Sequence, residues 1–140
     1  MGKEEVKARL FNHTDLLNLQ RGAIAEAAVR KVEVVALVDT GATYVVIPRR
    51  IASQLGPFLT RKTKVRYADG REGEREKVFG LVIEVQGRQA SVPAIVEDNG
   101  AQVLIGYVAL EDLDFAVDTI GRRLIPGHPE SPDTPMADEM

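Results

Sequence analysis

Asp39, Thr40 and Gly41 stand at the end of the apolar run Val34 to Val38, so a buried strand leads directly into a carboxylate, a hydroxyl and a glycine. An acid at that place leaves the core with little water around it and can trade a proton with a bound reactant. One carboxylate alone does little for hydrolysis, because the base that activates water needs an acid to protonate or polarise the other side of the bond. The internal candidate is Asp118-Thr119, but Ile120 occupies the place where a glycine would let the backbone turn sharply. The second acid is therefore expected from a second copy of the chain. In a two-fold dimer with the Asp39 turn on the axis, each Asp39 meets its own copy.

Length supports that expectation. At 140 residues the chain makes one domain, about half the size of a two-lobed enzyme. The formal charge of −3, with both signs mixed along the chain, provides no basic stripe for nucleic acid. There is no cysteine, which removes disulfide and thiolate chemistry, and the charged start Met1-Gly2-Lys3-Glu4-Glu5 has no secretory apolar stretch. The longest apolar run is too short to span a bilayer, and Val6 stands where a myristoylation signal needs Ser or Thr. The expectation is a cytoplasmic protein with no membrane contact.

The elements that must position Asp39 read as strands with few helices. Val6 to Phe11 is strand-like, and Asn12 to Asp15 supply turn and capping residues ahead of Leu16, Leu17 and Leu19, a loop with one helical turn. Ala23 to Ala28 is ambiguous, Val29 to Val38 is β-branched, and strands are expected on both sides of Gly22. Pro48, Ile51, Leu55 and Gly56-Pro57 mark both ends of a short helix.

Downstream, Asp69-Gly70, Gln86-Gly87 and Asn99-Gly100 separate apolar-rich segments ending at Val103 to Ile105, as consecutive antiparallel strands would. Phe79, Leu81, Ile83 and Val85 alternate, which puts them on one inward face and Gly80, Val82 and Glu84 on the other. A small barrel or sandwich follows, with a helical turn at Val108 to Leu113 and a last hairpin around Gly121. The domain is expected to span 1–126. Residues 127–140 carry Pro129, Pro132 and Pro135 among polar residues and read as a disordered tail.

Leu37-Val38-Asp39-Thr40-Gly41-Ala42-Thr43, followed by Val103-Leu104-Ile105-Gly106, resembles the retroviral-type (retropepsin-like) aspartic proteases and their bacterial and archaeal relatives. The resemblance runs from about Val6 to Pro126, on the scale of one domain. It implies a mostly-β acid-protease barrel with one or two short helices and one lobe per chain, active as a homodimeric endopeptidase. Asp39 would be the catalytic acid, and Thr40 would bond across the dimer axis. Gly41 and Thr43 would meet an extended peptide, and Ala42 and Gly106 would support the turn. Tyr67-Ala68-Asp69-Gly70 would form a flap, with Ala68, Asp69 and Gly70 on the substrate. No metal or organic cofactor is implied. Relatives with Ser at the position of Ala42 can hydrogen-bond the acid, so a less acidic pH optimum is expected here.

The chain departs from viral members at Thr43 and Tyr107, where an acid and an arginine usually form an ion pair. Arg71, Glu72, Glu74, Arg75, Glu76 and Lys77 make the flap highly charged and read as a solvated hairpin. His13 and His128 are isolated, and Glu111, Asp112 and Asp114 read as the polar side of a helical turn. The main rival to a protease is a dimeric module of the same fold that holds a peptide or partner protein without cutting it. A weaker one is an unrelated β-domain serving assembly.

Overall fold

A computed structural model of the chain describes residues 4–118 and 123–127. Strand β1 (Glu4–Asn12) leads into helix α1 (His13–Gln20). Then come β2 (Lys31–Val38), β3 (Val45–Pro48), helix α2 (Arg49–Leu55), β4 (Leu59–Arg66), β5 (Glu72–Val85), β6 (Arg88–Glu97), β7 (Leu104–Ile105), helix α3 (Tyr107–Leu113), β8 (Phe115–Asp118) and β9 (Arg123–Pro126). The molecule is mostly strand, as the alternating apolar pattern demands. It has a short helix more than expected among the described residues, and that helix is α1.

Six strands close a ring in the order β1-β2-β7-β3-β6-β5, and β5 pairs back onto β1 through Arg9↔Glu84 to Asn12↔Leu81. Strand β4 lies outside this ring. It pairs with the first half of β5, from Arg66↔Glu72 to Leu59↔Phe79, along the edge that β1 takes over further on. The β4–β5 hairpin therefore projects from the barrel on one shared strand. Inside the ring Leu10, Ala36, Val45, Ile47, Leu81, Ile83, Ala94 and Ile105 are fully enclosed, and α2 closes one end with Ile51 and Leu55.

Several expectations need correction. The one helical turn expected between Asn12 and Leu19 is the eight-residue helix α1, and no strand stands directly before Gly22, because Asn12 does more than turn the chain. Its Oδ1 accepts the Asp15 N–H at 3.0 Å as an N-cap, while its Nδ2 donates to the Leu55 carbonyl at 2.7 Å. After Gly22 the chain is irregular, with a 3₁₀ turn at Glu26–Ala28, and β2 begins only at Lys31. Leu16 and Leu19 on α1 pack with Phe11, Val29 and Val82, so the back of β5 is covered and Val82 is buried rather than solvent-facing.

Two further differences concern β5 and β7. A bulge between Val78 and Leu81, at Gly80 with φ +97°, shifts the alternation by one. Val78 joins Leu81, Ile83 and Val85 in the core, and Phe79 turns to the opposite side, half-buried. Strand β7 does not pair with β6. It lies between β2, to which it is parallel, and β3, to which it is antiparallel. Turn residues at Asn99-Gly100 mark a reversal, but the next strand crosses to a different neighbour. The turn at Gly121, Ile120, His128 and the expected tail beyond Gly127 fall outside the described residues. No helix of the described residues is long and apolar enough to cross a membrane.

Candidate active site

Asp39 follows directly on β2, and three backbone contacts define its place. Leu37 and Val38 pair in parallel with Leu104 and Ile105, and the Asp39 N–H donates to the Ile105 carbonyl at 2.9 Å, continuing that ladder beyond the strand. The chain then turns back, with the Ala42 N–H on the Asp39 carbonyl at 3.1 Å. Within the turn the Gly41 N–H donates to Asp39 Oδ1 at 3.0 Å, which holds the half-buried carboxylate over its own loop. A Cβ on Gly41 would sit 3.3 Å from that oxygen, so the position tolerates little bulk.

The returning arm of the turn is held from the other side by the start of α3. Tyr107 N–H donates to the Ala42 carbonyl at 2.8 Å and Val108 N–H to the Thr43 carbonyl at 2.9 Å. Free N–H groups at a helix start are normally left to caps or water. Here they fasten the loop that carries the acid. The contact works only because residue 106 lacks a side chain. A Cβ on Gly106 would lie 2.5 Å from the Tyr44 carbonyl oxygen and 2.7 Å from that of Ala42.

The structure thus joins Asp39, Gly41, Ala42, Thr43 and Gly106 in one compact unit. Thr40 lies on its exposed side, next to Tyr107, with no partner for its hydroxyl among the described residues. Ala68, Asp69 and Gly70 form the exposed tip of the β4–β5 hairpin, and their hydrogen bonds stay within it. The Gly70 N–H donates to the Tyr67 carbonyl at 2.9 Å, and Arg71 donates its backbone N–H and Nε to the Asp69 carboxylate. Those two hydrogen bonds, the backbone one first, hold the Asp69 carboxyl below its ordinary range.

The hairpin charges are not uniformly solvated, contrary to the expectation for this segment. Tyr67 and Arg75 reach back to Glu97 at the end of β6: the Tyr67 hydroxyl donates to Oε2 and the Arg75 Nε to Oε1, both at 2.8 Å. Arg71 and Arg75 flank the Tyr67 ring at 4.9 and 5.6 Å. Burial, followed by the hydrogen bond to Glu97, pushes the Tyr67 hydroxyl above its ordinary pKa. Lys77 is half-buried with its ammonium 4.1 Å from the centroid of Tyr44, just beyond the Asp39 turn.

Tyr44 escaped the sequence reading, and Lys77 was read only as one of the solvated hairpin charges, although the alternation of β5 could have placed it with Arg75 on one face. Of the other titratable candidates, His13 begins α1, and Glu111 accepts the Tyr107 hydroxyl at 2.9 Å across one turn of α3. The described residues contain no group of three or more His, Asp or Glu side chains able to hold a metal ion.

Residues 25–112 match the model of a family described as "gag-polyprotein putative aspartyl protease". That span holds the Asp39 turn, the hairpin, Gly106 and nearly all of α3. No curated protein matches the chain.

Proposed function

Because the chain belongs to the aspartyl protease family of gag polyproteins, we propose that it is a homodimeric aspartic endopeptidase in which Asp39 of each subunit supplies half of a catalytic dyad. The observation that carries this reading is the clamped turn. The carboxylate-bearing loop is fixed by β7 on one side and by Gly106 and the start of α3 on the other, while Thr40 and Gly41 stay exposed. A loop so constrained presents an acid in one geometry, which is what a shared-proton mechanism requires.

In the proposed dimer two carboxylates face each other too closely for both to ionise, and they titrate as a pair. The ionised member takes a proton from a water held between them, and that water's oxygen attacks the scissile carbonyl carbon. The protonated member donates to the carbonyl oxygen as charge builds there. Collapse of the tetrahedral species breaks the C–N bond, with a proton passing to the leaving amine. The substrate lies extended beneath the β4–β5 hairpin, Gly41 and Thr43 against its backbone and Ala68, Asp69 and Gly70 above it. The Thr40 hydroxyl bonds to the partner's backbone and joins the two turns. The proposed catalytic domain spans 1–126.

The test is digestion of an unbiased peptide library by the wild type and by Asp39→Asn across pH. Cleavage by the wild type and none by the variant, with dimerisation kept, supports the reading. Cleavage by neither points to a module that holds peptides without cutting them.

A further inference from the structure

The two faces of the β4–β5 hairpin differ in charge logic. On one face Lys62, Lys64 and Arg66 stand directly opposite Glu76, Glu74 and Glu72, an alternation that neutralises itself. On the other face Arg61 stands directly opposite Lys77. Like charges in cross-strand register destabilise a hairpin, and nothing else in this register sets two cations together. Neither Arg61 nor Lys77 pairs with a carboxylate among the described residues, whereas Arg75, next on that face, is neutralised by Glu97. The cationic pair is therefore without a carboxylate partner among the described residues.

Its position gives it a use. The Lys77 ammonium rests 4.1 Å from the Tyr44 ring centroid and 5.6 Å from that of Phe79, so two aromatic faces attract and position the charge without neutralising it. Tyr44 is part of the arm that returns from the Asp39 turn, and its carbonyl packs on Gly106. The Arg61–Lys77 face is thus the face of the hairpin that abuts the catalytic loop. A peptide running between hairpin and loop passes it.

We propose that Arg61, Lys77 and Tyr44 form a subsite that selects an acidic side chain, Asp or Glu, in the bound peptide. This rests on the reading of the cleft as a peptide site, and it concerns which peptide is chosen rather than whether it is cut. The carboxylate supplies the counter-charge that the hairpin lacks, and the tyrosine ring holds in place the ammonium that meets it.

The experiment uses the full chain carrying Asp39→Asn, so that peptides bind without turnover, and fluorescence anisotropy of extended neutral peptides with Glu, Gln or Lys scanned through each position. At one position the Glu peptide is expected to bind about three- to fivefold more tightly than its Gln counterpart, the range of a partly exposed ion pair. Adding Lys77→Gln, which removes the charge and keeps a long side chain, should abolish the difference, and Lys77→Glu should reverse it in favour of the Lys peptide. Lys62→Gln, a cation removed from the opposite face, should leave the ratio unchanged. Equal affinity for Glu and Gln peptides at every position, or equal loss with Lys62→Gln and Lys77→Gln, overturns the subsite. Charge selection by a protein whose wild type cuts nothing would keep the subsite and reject the protease reading. Cleavage by the wild type without charge selection would do the reverse.

Discussion

Gly106 and Tyr44 approach so closely that a single β-carbon on the glycine would stand 2.5 Å from the tyrosine carbonyl oxygen, inside the contact distance of any real pair. The obstacle is backbone on both sides, so no side-chain rotation relieves it.

Gly106→Ala is therefore expected to displace the 42–44 arm, with a stability loss of about 1–3 kcal/mol, the usual cost of forcing bulk into a packed site. Cleavage should fall further than stability alone explains, because Asp39 sits on the same loop. Gly100→Ala, where nothing lies within 4 Å of the added carbon, serves as the control. Thermal melts and peptide cleavage on both variants check this, and an unperturbed Gly106→Ala enzyme would contradict the clamp.

Asp15 ties α1 to the chain ahead of β2. Its carboxylate accepts the Arg30 backbone N–H, Nε and Nη2 at 2.9, 2.8 and 2.8 Å, and the Arg30 side chain also donates to the Gly56 carbonyl. The side-chain hydrogen bond from Arg30, more than any other cause, holds the Asp15 carboxyl below its ordinary value of 3.8. A depressed folded-state pKa gives stability that is present above the unfolded value and lost as pH falls through the folded one. Melting temperature should thus fall as pH drops below 3.8, and Asp15→Asn should melt lower at neutral pH with a shallower acid limb. Parallel acid limbs for the two proteins would rule this out.

Arg88 is 5% exposed and donates from Nη1 to the carbonyls of Leu113 and Asp114 at 3.1 and 2.7 Å, with its guanidinium 4.8 Å from the Phe115 ring centroid. It closes the C-terminal end of α3, the helix whose first turn fastens the Asp39 loop. Arg88→Met keeps much of the volume but leaves those carbonyls short of a donor, at about 2 kcal/mol. Chemical denaturation should register that loss, and a change under about 0.5 kcal/mol would mean that these bonds do not hold the end of α3.

Ala42 offers no hydroxyl to the Asp39 carboxylate three residues before it. Ala42→Ser is expected to move the acid side of the pH–rate profile for peptide cleavage to lower pH, since a donor to the charged form favours ionisation of the pair. A profile that stays in place or moves toward neutrality would remove Ala42 from the determinants of the optimum.

The sequence revealed most where the physics is local or one-dimensional. An apolar run ending in Asp39-Thr40-Gly41 reads as a strand delivering an acid, and Gly106 after a second apolar run reads as a close backbone contact. Helix α2 was legible because Pro48 and Gly56 punctuate it. Helix α1 was legible only as one helical turn after capping residues, since Asn12 caps it while also bonding Leu55, a contact that only the fold creates. The bulge at Gly80 defeated the simple alternation of β5, and the partners of β7 depend on a crossover that no turn residue announces. The setting of Lys77 depends on Tyr44, which lies far off in the chain and meets it only when the barrel closes.

The most direct measurement is cleavage by wild-type protein mixed with increasing fractions of Asp39→Asn at constant total concentration, after exchange of subunits. If each site takes one Asp39 from each of two chains, activity follows the square of the wild-type fraction, so an equal mixture retains about one quarter. A decline in direct proportion to the wild-type fraction, leaving about one half, would mean that one chain cuts alone, and the shared dyad would be wrong.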